Sequence, residues 1–233
     1  MEIIAEIGQN HNGDMKLASR LIALAKENGA DVAKFQLFDA KTLFEIKDNP
    51  WYDYNLKTEL SFEQVEFLFE ECRRYEIEFK ASAFDVERVK WLEKLNVKRY
   101  KIASRSIHDV KLIEVLASIN KPLLVSLGWW KEKEFPKIVS AAPIYFLYCV
   151  SKYPTELSDV HLKVADFNRY AGISDHTIGA TVAMAAFARG AKFVEKHFTV
   201  DRNLFGPDHV CSMSPEELRE IHLFRERLRE CLN

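Results

Sequence analysis

Short apolar runs alternate with amphipathic segments along the whole chain. The first run, Glu2–Gly8, is followed by the turn GQNHNGD. Lys16–Asn28 then places Leu17, Leu21, Ile22 and Ala25 at helical spacing and stops at Gly29, a good C-terminal cap. A second strand, Asp31–Leu37, leads into a long loop through DNPWYDYN. Ser61 with Gln64 three residues on predicts a helix opened by a capping box. Strand EFKASAF, helix VERVKWLEKLN, strand RYKIAS and helix DVKLIEVLASIN continue the rhythm. Strand PLLVSLG precedes a shorter, less regular helix around Glu132–Ser140. Strand IYFLYCV, a helix near Leu162–Phe167, strand AGISDHT and the Ala-rich helix Thr181–Arg189 come next. The last pair is strand KFVEKHFTV and a helix opened by Ser214-Pro215-Glu216-Glu217, with a serine cap, proline at the first helical position and glutamate at the third.

Eight strand–helix units within 233 residues predict an α/β fold, a (β/α)8 TIM barrel with one domain over residues 1–233. A doubly wound open sheet is the competitor, but no Gly-rich dinucleotide turn follows the first strand. Composition changes this picture little: 48% hydrophobic and 29% charged residues are ordinary for a globular chain and exclude disorder. A net charge of −2 without a basic block argues against nucleic acid or an anionic membrane as partner. No signal peptide or membrane-length apolar run is visible, which predicts a cytoplasmic protein. Cys72, Cys149, Cys211 and Cys231 lack metal or redox spacing and are expected to be reduced, mostly packed thiols.

In such a barrel the active site lies where the strands end, so alternation along each strand selects the candidate chemistry. Ile3, Ala5 and Ile7 share one face of the first strand, sending Glu6 the other way with Ile4. Ala33, Phe35 and Leu37 suit the helix layer, which sends Lys34 and Gln36 into the barrel. Lys101 points inward on the fourth strand, which ends at Ser104. The third strand ends at Ser82, the fifth at Ser126 and the seventh at Ser174, while Glu195, His197 and Thr199 share a face of the eighth. Two inward lysines amid small hydroxyls suit a phosphate and a carboxylate, lysine supplying charge and serine hydrogen bonds. The plainer alternative is that each lysine is half of an internal ion pair, with Glu6 or Glu195 as partner. His176, 21 residues before His197, falls at the end of the neighbouring strand. Singly, each histidine suits a hydrogen-bonded core position. Together they suit a catalytic, exchangeable divalent metal, since two protein ligands are too few for a closed structural site.

The motifs AEIGQNHNGD, VAKFQ, YKIAS, YPT, GISDHTIG and EKHFTVDRN-x-x-GPDH-x-x-S resemble the sialic acid synthase (N-acetylneuraminate synthase) family along nearly the whole chain. The resemblance implies a barrel that condenses phosphoenolpyruvate with the open-chain aldehyde of an N-acylated amino sugar, such as N-acetylmannosamine. The products would be a sialic-acid-like 2-keto sugar acid and phosphate. It implies a divalent metal, Mn2+ in the first place with Mg2+ or Co2+ as alternatives, held by His176 and His197. It maps phosphoenolpyruvate contacts onto Lys34, Gln36, Ser82, Lys101, Ser104, Ser126 and Ser174, the motif glutamate onto Glu6, and sugar contacts onto Tyr153, Asp208 and, more loosely, Asn49.

Several positions depart from the family pattern. Thr-Gly-Met after the serine is here Leu127-Gly128-Trp129-Trp130. Tyr148 stands where histidine is common, Ser151 replaces a polar position near the sugar, Arg105-Ser106 replaces a Gly-acidic pair, and Phe205 replaces a proline. The phosphoenolpyruvate half is thus expected intact and the sugar half altered, with Trp129 and Trp130 either stacking on a sugar or simply packing. The family's C-terminal antifreeze-like domain, which delivers an arginine across a homodimer, has no counterpart before Asn233. The expectations are therefore a homodimer of bare barrels, a barrel using another aldehyde acceptor, or a weakly active subunit completed by a separate polypeptide.

Overall fold

The computed structural model describes residues 1–232. Eight parallel strands close into one barrel in sequence order: β1 (Glu2–Gly8), β2 (Val32–Leu37), β3 (Glu78–Ala83), β4 (Tyr100–Ile102), β5 (Leu123–Ser126), β6 (Ile144–Cys149), β7 (Gly172–Asp175) and β8 (Phe193–His197). The helices are α1 (Met15–Glu27), α2 (Ala40–Leu43), α3 (Tyr52–Thr58), α4 (Phe62–Arg74), α5 (Val86–Lys94), α6 (Val110–Ser118), α7 (Thr181–Ala188) and α8 (Pro215–Leu232). Both expected capping boxes form. Gln64 N donates to Ser61 Oγ at 3.3 Å while Ser61 N donates to Gln64 Oε1 at 2.9 Å, and Ser214 and Glu217 repeat the exchange at the start of α8.

Two expected helices are absent. Around Glu132–Ser140 the chain runs irregularly from β5 to β6. Pro136 removes a donor from the middle of this segment, and its neighbours are mostly charged, so no apolar face repays winding a helix. Phe135 instead packs on Phe146 and Tyr170, with ring centroids 4.7 and 4.8 Å away. Near Leu162–Phe167 only the 3-10 turn Leu162–Val164 forms. Val164 stays exposed, and Asp166 turns its side chain back to accept from Asn168 N at 2.9 Å, a local bond that competes with helix. The opposite correction applies after β2, where the expected loop winds into α2 and α3.

Alternation sorts the strands as the barrel requires. Ile3, Ala5, Ile7, Ala33, Phe35, Leu37, Phe79 and Ala81 belong to the core between strands and helices, whereas Ile4, Val32, Leu124, Leu147 and Phe193 form a separate apolar plug inside the barrel. At the N-terminal mouth, Arg99 bonds Glu78 and Glu2 at 2.7 Å each. Fully buried Lys80 sits here too, its amine 3.6 Å from Glu2 and without a hydrogen bond.

Burial, with Arg99 adding repulsion, pushes the Lys80 ammonium down from 10.5 to about 8 despite Glu2 and Glu78. The unfolded chain therefore binds one more proton than the native chain between about pH 8 and 10.5, and stability rises with pH across that window. Lys80→Met is expected to stabilise the protein by about 2–3 kcal/mol at pH 7. Urea unfolding at pH 7 and pH 10 checks this: the gap between wild type and variant should shrink at the higher pH, and an unchanged gap would assign the effect to packing.

Candidate active site

At the C-terminal ends of the strands lies an inner chamber. It brings together Glu6, Lys34, Gln36, Ser82, Lys101, Ser104, Ser126, Ser174, His176 and His197, all expected from the sequence, with Tyr153 at its lip. A wider cleft shares Gln36, Ser104, Tyr153 and His197 with the chamber and carries Asn49 and Asp208 on its walls.

The chamber's charges form one chain. Lys34 lies 2.6 Å from Glu6 and 3.7 Å from Glu195, and Glu195 lies 3.4 Å from Lys101. Gln36 Nε2 donates to Glu6 Oε1 at 2.8 Å, Lys34 Nζ to Ser82 Oγ at 3.2 Å and Ser174 Oγ to Glu195 Oε1 at 3.1 Å. Both alternatives weighed from the sequence are therefore present at once: the lysines are paired internally, and they line a chamber. Burial would raise the Glu195 carboxyl, but Lys101, Lys34 and Lys80 outweigh it and hold it at about 2. Burial likewise opposes the Lys34 ammonium, which Glu195 and Glu6 nevertheless hold above its ordinary value. Lys101 goes the other way, pushed down by burial and by Lys34 beyond what Glu195 restores.

Several buried groups here lack partners. Ser126 Oγ, Glu195 Oε2 and His197 Nδ1 have no hydrogen bond. An unmade bond at a buried polar atom costs about 1–3 kcal/mol, and three in one chamber mark a place shaped for a polar ligand. The His176 and His197 rings stand 5.6 Å apart. His176 Nδ1 meets Val150 O at 3.0 Å, which leaves Nε2 free for the chamber. His197 Nδ1 has Asp208 Oδ2 at 3.9 Å. Among the described residues no group of three or more His, Cys, Asp or Glu side chains is placed to hold a metal. His176 and His197 are the two imidazoles that would hold a divalent cation here, with its remaining positions left to substrate and solvent.

The wider cleft is walled by aromatic rings. Trp51, Tyr54 and Phe205 join the loop after β2 to the loop after β8, with centroids 5.3 to 5.9 Å apart. A Cβ at Gly206 would fall 2.6 Å from Tyr54 Oη, so this close approach needs glycine. The adjacent tryptophans divide their roles: Trp129 is half exposed and lines the cleft, while Trp130 stacks on His108 and donates Nε1–H to Glu134 O at 2.8 Å. Asn49 lines the cleft, but its amide is engaged with Glu45 O and Trp51 N. Asn55 and Gln9, which the sequence did not single out, bond each other and also face the cleft. Tyr148 points away from both cavities and donates to Val160 O.

Cys149, expected only as a packed thiol, faces inward beside Ser104, which donates to its sulfur at 3.4 Å. Gly128 makes room for this cluster: a Cβ there would meet Ser151 Oγ at 2.2 Å, Cys149 Sγ at 2.8 Å and Ser104 Oγ at 2.9 Å. Cys231 is exposed rather than packed. Among the described residues no helix is long and apolar enough to cross a membrane.

Fold and chamber together define a (β/α)8 barrel enzyme with paired, buried lysines and glutamates beside two histidines at the strand ends. The chain belongs to the NeuB family, whose model matches residues 21–232, and with it to the sugar-acid synthases that use phosphoenolpyruvate. It is 38% identical to N,N'-diacetyllegionaminic acid synthase of Legionella pneumophila over 94% of this chain and 69% of that protein. It is 33% identical to N-acetylneuraminate-9-phosphate synthase of Homo sapiens, over 94% and 67%. Among solved structures, the N-acetylneuraminic acid synthetase of Leptospira borgpetersenii, in complex with citrate, superposes with a TM-score of 0.87 at 31% identity, covering 99% of this chain and 84% of that one.

Proposed function

We propose that the chain condenses phosphoenolpyruvate with the open-chain aldehyde of an N-acylated amino sugar, giving a sialic-acid-like 2-keto sugar acid and inorganic phosphate. The observation that carries this reading is the buried Lys34–Lys101 chamber opening beside the His176–His197 pair into a wider, aromatic-walled cleft. A small polyanion and a sugar would then meet end to end. A divalent cation, Mn2+ in the first place, would be held by His176 and His197; when bound it supplies polarisation of the aldehyde oxygen and stabilises the developing alkoxide.

In this reading Lys34 and Lys101 hold the phosphate and carboxylate of phosphoenolpyruvate, with Ser82, Ser104, Ser126 and Ser174 donating hydrogen bonds. Its methylene carbon attacks the aldehyde carbon, forming the new C–C bond and leaving cationic character on the carbon that bears the phosphate. Water adds there and passes a proton to Glu6, which borders the chamber and is freed as the ligand's anionic groups compete for Lys34. Collapse of the tetrahedral intermediate breaks the carbon–oxygen bond to phosphate and leaves the ketone, the hydroxyl proton leaving with the phosphate, while the proton on Glu6 passes to the alkoxide oxygen formed from the aldehyde. Tyr153 and Asp208 position the acceptor. The histidine rings lie close to Tyr153, with centroids 4.2 and 6.2 Å away, so the aldehyde end of a sugar on that tyrosine would reach the pair.

Incubation with phosphoenolpyruvate, Mn2+ and a panel of N-acyl amino sugars tests the proposal. Consumption of phosphoenolpyruvate with equal release of phosphate is expected with an N-acetylmannosamine-like acceptor. Turnover only with some other aldehyde would overturn the acceptor class. Turnover only after adding a second polypeptide would make the chain a subunit.

A further inference from the structure

The proposed chemistry assigns nothing to the turn after β1, residues 9–14, yet side chains of that turn reach two other loops of the cleft. Asn12 stands there in the left-handed region, with φ +52°. Tyr54 Oη of α3 lies 2.7 Å from Asn12 Oδ1 and 2.9 Å from Gln9 O. Burial and the Asp208 charge raise the Tyr54 phenol above its ordinary range, so it stays a donor. From the loop after β8, His209 Nε2 lies 3.2 Å from the same Asn12 oxygen. Burial pushes the His209 imidazolium down to about 4, so the ring is neutral near pH 7. Its one proton then sits on Nε2, facing Asn12, while Nδ1 accepts from Thr199 Oγ1 at 2.7 Å. One side-chain oxygen thus joins the loops that follow β1, β2 and β8.

Asn10 makes a second tie from the same turn. Its Nδ2 donates to Ser212 Oγ at 2.9 Å, and Ser212 Oγ donates to Asp208 O at 2.8 Å. Asp208 is therefore held through its own carbonyl and through its neighbour His209. No hydrogen bond holds its carboxylate among the described residues, and Oδ2 lies 3.9 Å from His197 Nδ1. A carboxylate left free for a ligand is aimed only as well as its backbone is fixed. Asn12 itself lines neither the chamber nor the cleft.

We infer that Asn12 is a positioning residue for the acceptor: its oxygen holds His209 and Tyr54 together and so fixes where Asp208 sits beside His197. The inference rests on the function proposed above and deepens it by naming what sets the acceptor site. It also accounts for asparagine in this place. Asparagine tolerates the left-handed backbone better than most residues and offers a side-chain acceptor at once.

Two variants separate those properties. Asn12→Gly removes the oxygen and suits a φ of +52°, whereas Asn12→Asp keeps an oxygen in the same place. In turnover of N-acetylmannosamine with phosphoenolpyruvate and Mn2+, Asn12→Gly is expected to raise the KM for the sugar about tenfold with little change in kcat. Phosphoenolpyruvate affinity, read by calorimetry, should stay at the wild-type level, and Asn12→Asp should restore most of the sugar KM. In an Asp208→Asn background the same Asn12→Gly change should cost less than about twofold, because Asn12 acts through that carboxylate. Independent, multiplying effects of the two substitutions would overturn the inference. So would a fall in phosphoenolpyruvate affinity equal to that for the sugar, the mark of a merely structural role. Hydrogen exchange reads the same hold without any ligand. Asn12→Gly should quicken exchange across residues 198–213 and 52–58 while the barrel strands keep their rates, and Asn12→Asp should slow it again. Unchanged exchange in Asn12→Gly would also overturn the inference. The expected exchange pattern in a chain whose wild type turns over no sugar would refute the condensation reading and leave the hold of Asn12 on Asp208 standing.

Discussion

His176→Ala and His197→Ala are each expected to reduce turnover at least about a thousandfold and to abolish its stimulation by divalent ions, since polarising the aldehyde is worth several kcal/mol. The physical basis is the way the fold presents these rings. His176 follows β7 directly and His197 ends β8, strands that are paired in register up to Asp175 and Lys196. Behind them, Lys196 is locked to Asp175 at 3.0 Å and Asp175 accepts from Thr177, so the backbone that aims the rings is fixed from the outer side. Neither substitution removes a partner of the lysine–glutamate chain, so the fold should survive, as circular dichroism can check. A chelator should mimic both variants. Activity indifferent to the chelator, or ion stimulation surviving in both variants, would remove the metal from the account.

Loss of the two inward lysines should be as severe for a different reason. Lys34 and Lys101 neutralise Glu6 and Glu195, and in the proposed reaction the same two ammonium groups meet the substrate. Lys34→Met alone leaves Glu6 buried without its 2.6 Å partner, which costs about 3–5 kcal/mol of stability. A fall in activity from that variant therefore mixes folding with function. Lys34→Met combined with Glu6→Gln would remove charge of both signs, and Lys101→Met with Glu195→Gln does the same across the chamber. Melting temperatures should then return toward wild type while turnover stays at least about a thousandfold down: in the Lys101–Glu195 pair because the substrate's anionic groups have lost a cation, and in the Lys34–Glu6 pair because the water-activating carboxylate is lost as well. Recovered turnover in these neutralised pairs would mean that the lysines serve the barrel and not the ligand.

Much of this architecture was legible because barrel alternation has period two and the site sits at a fixed end of the strands. Glu6, Lys34, Gln36, Lys101 and the four serines were found that way, and the structure gathers them into one chamber. The same rule places inside the barrel Lys80, which shares its face of β3 with Ser82, and Cys149, which ends β6 on the face of Leu147. Units five and six lack the helices that the strand–helix rhythm predicts, because Pro136 interrupts the first segment and Val164 in the second finds no apolar surface to cover it. The wider cleft was the least legible part. Trp51, Asn55 and Arg105 reach it from loops and short helices whose mutual placement depends on contacts between distant segments, such as Trp51 with Phe205. No local periodicity encodes such contacts.

In the proposed function the lysine-lined chamber is the phosphoenolpyruvate site. Calorimetric titration of phosphoenolpyruvate into the wild-type chain and into Lys101→Met/Glu195→Gln tests this, because binding needs neither acceptor nor turnover and Glu6 keeps its Lys34 partner. Saturable binding to the wild type at one site per chain is expected, with binding to the folded variant at least about tenfold weaker. Equal affinity for the two proteins, or no binding to the wild type, would contradict it.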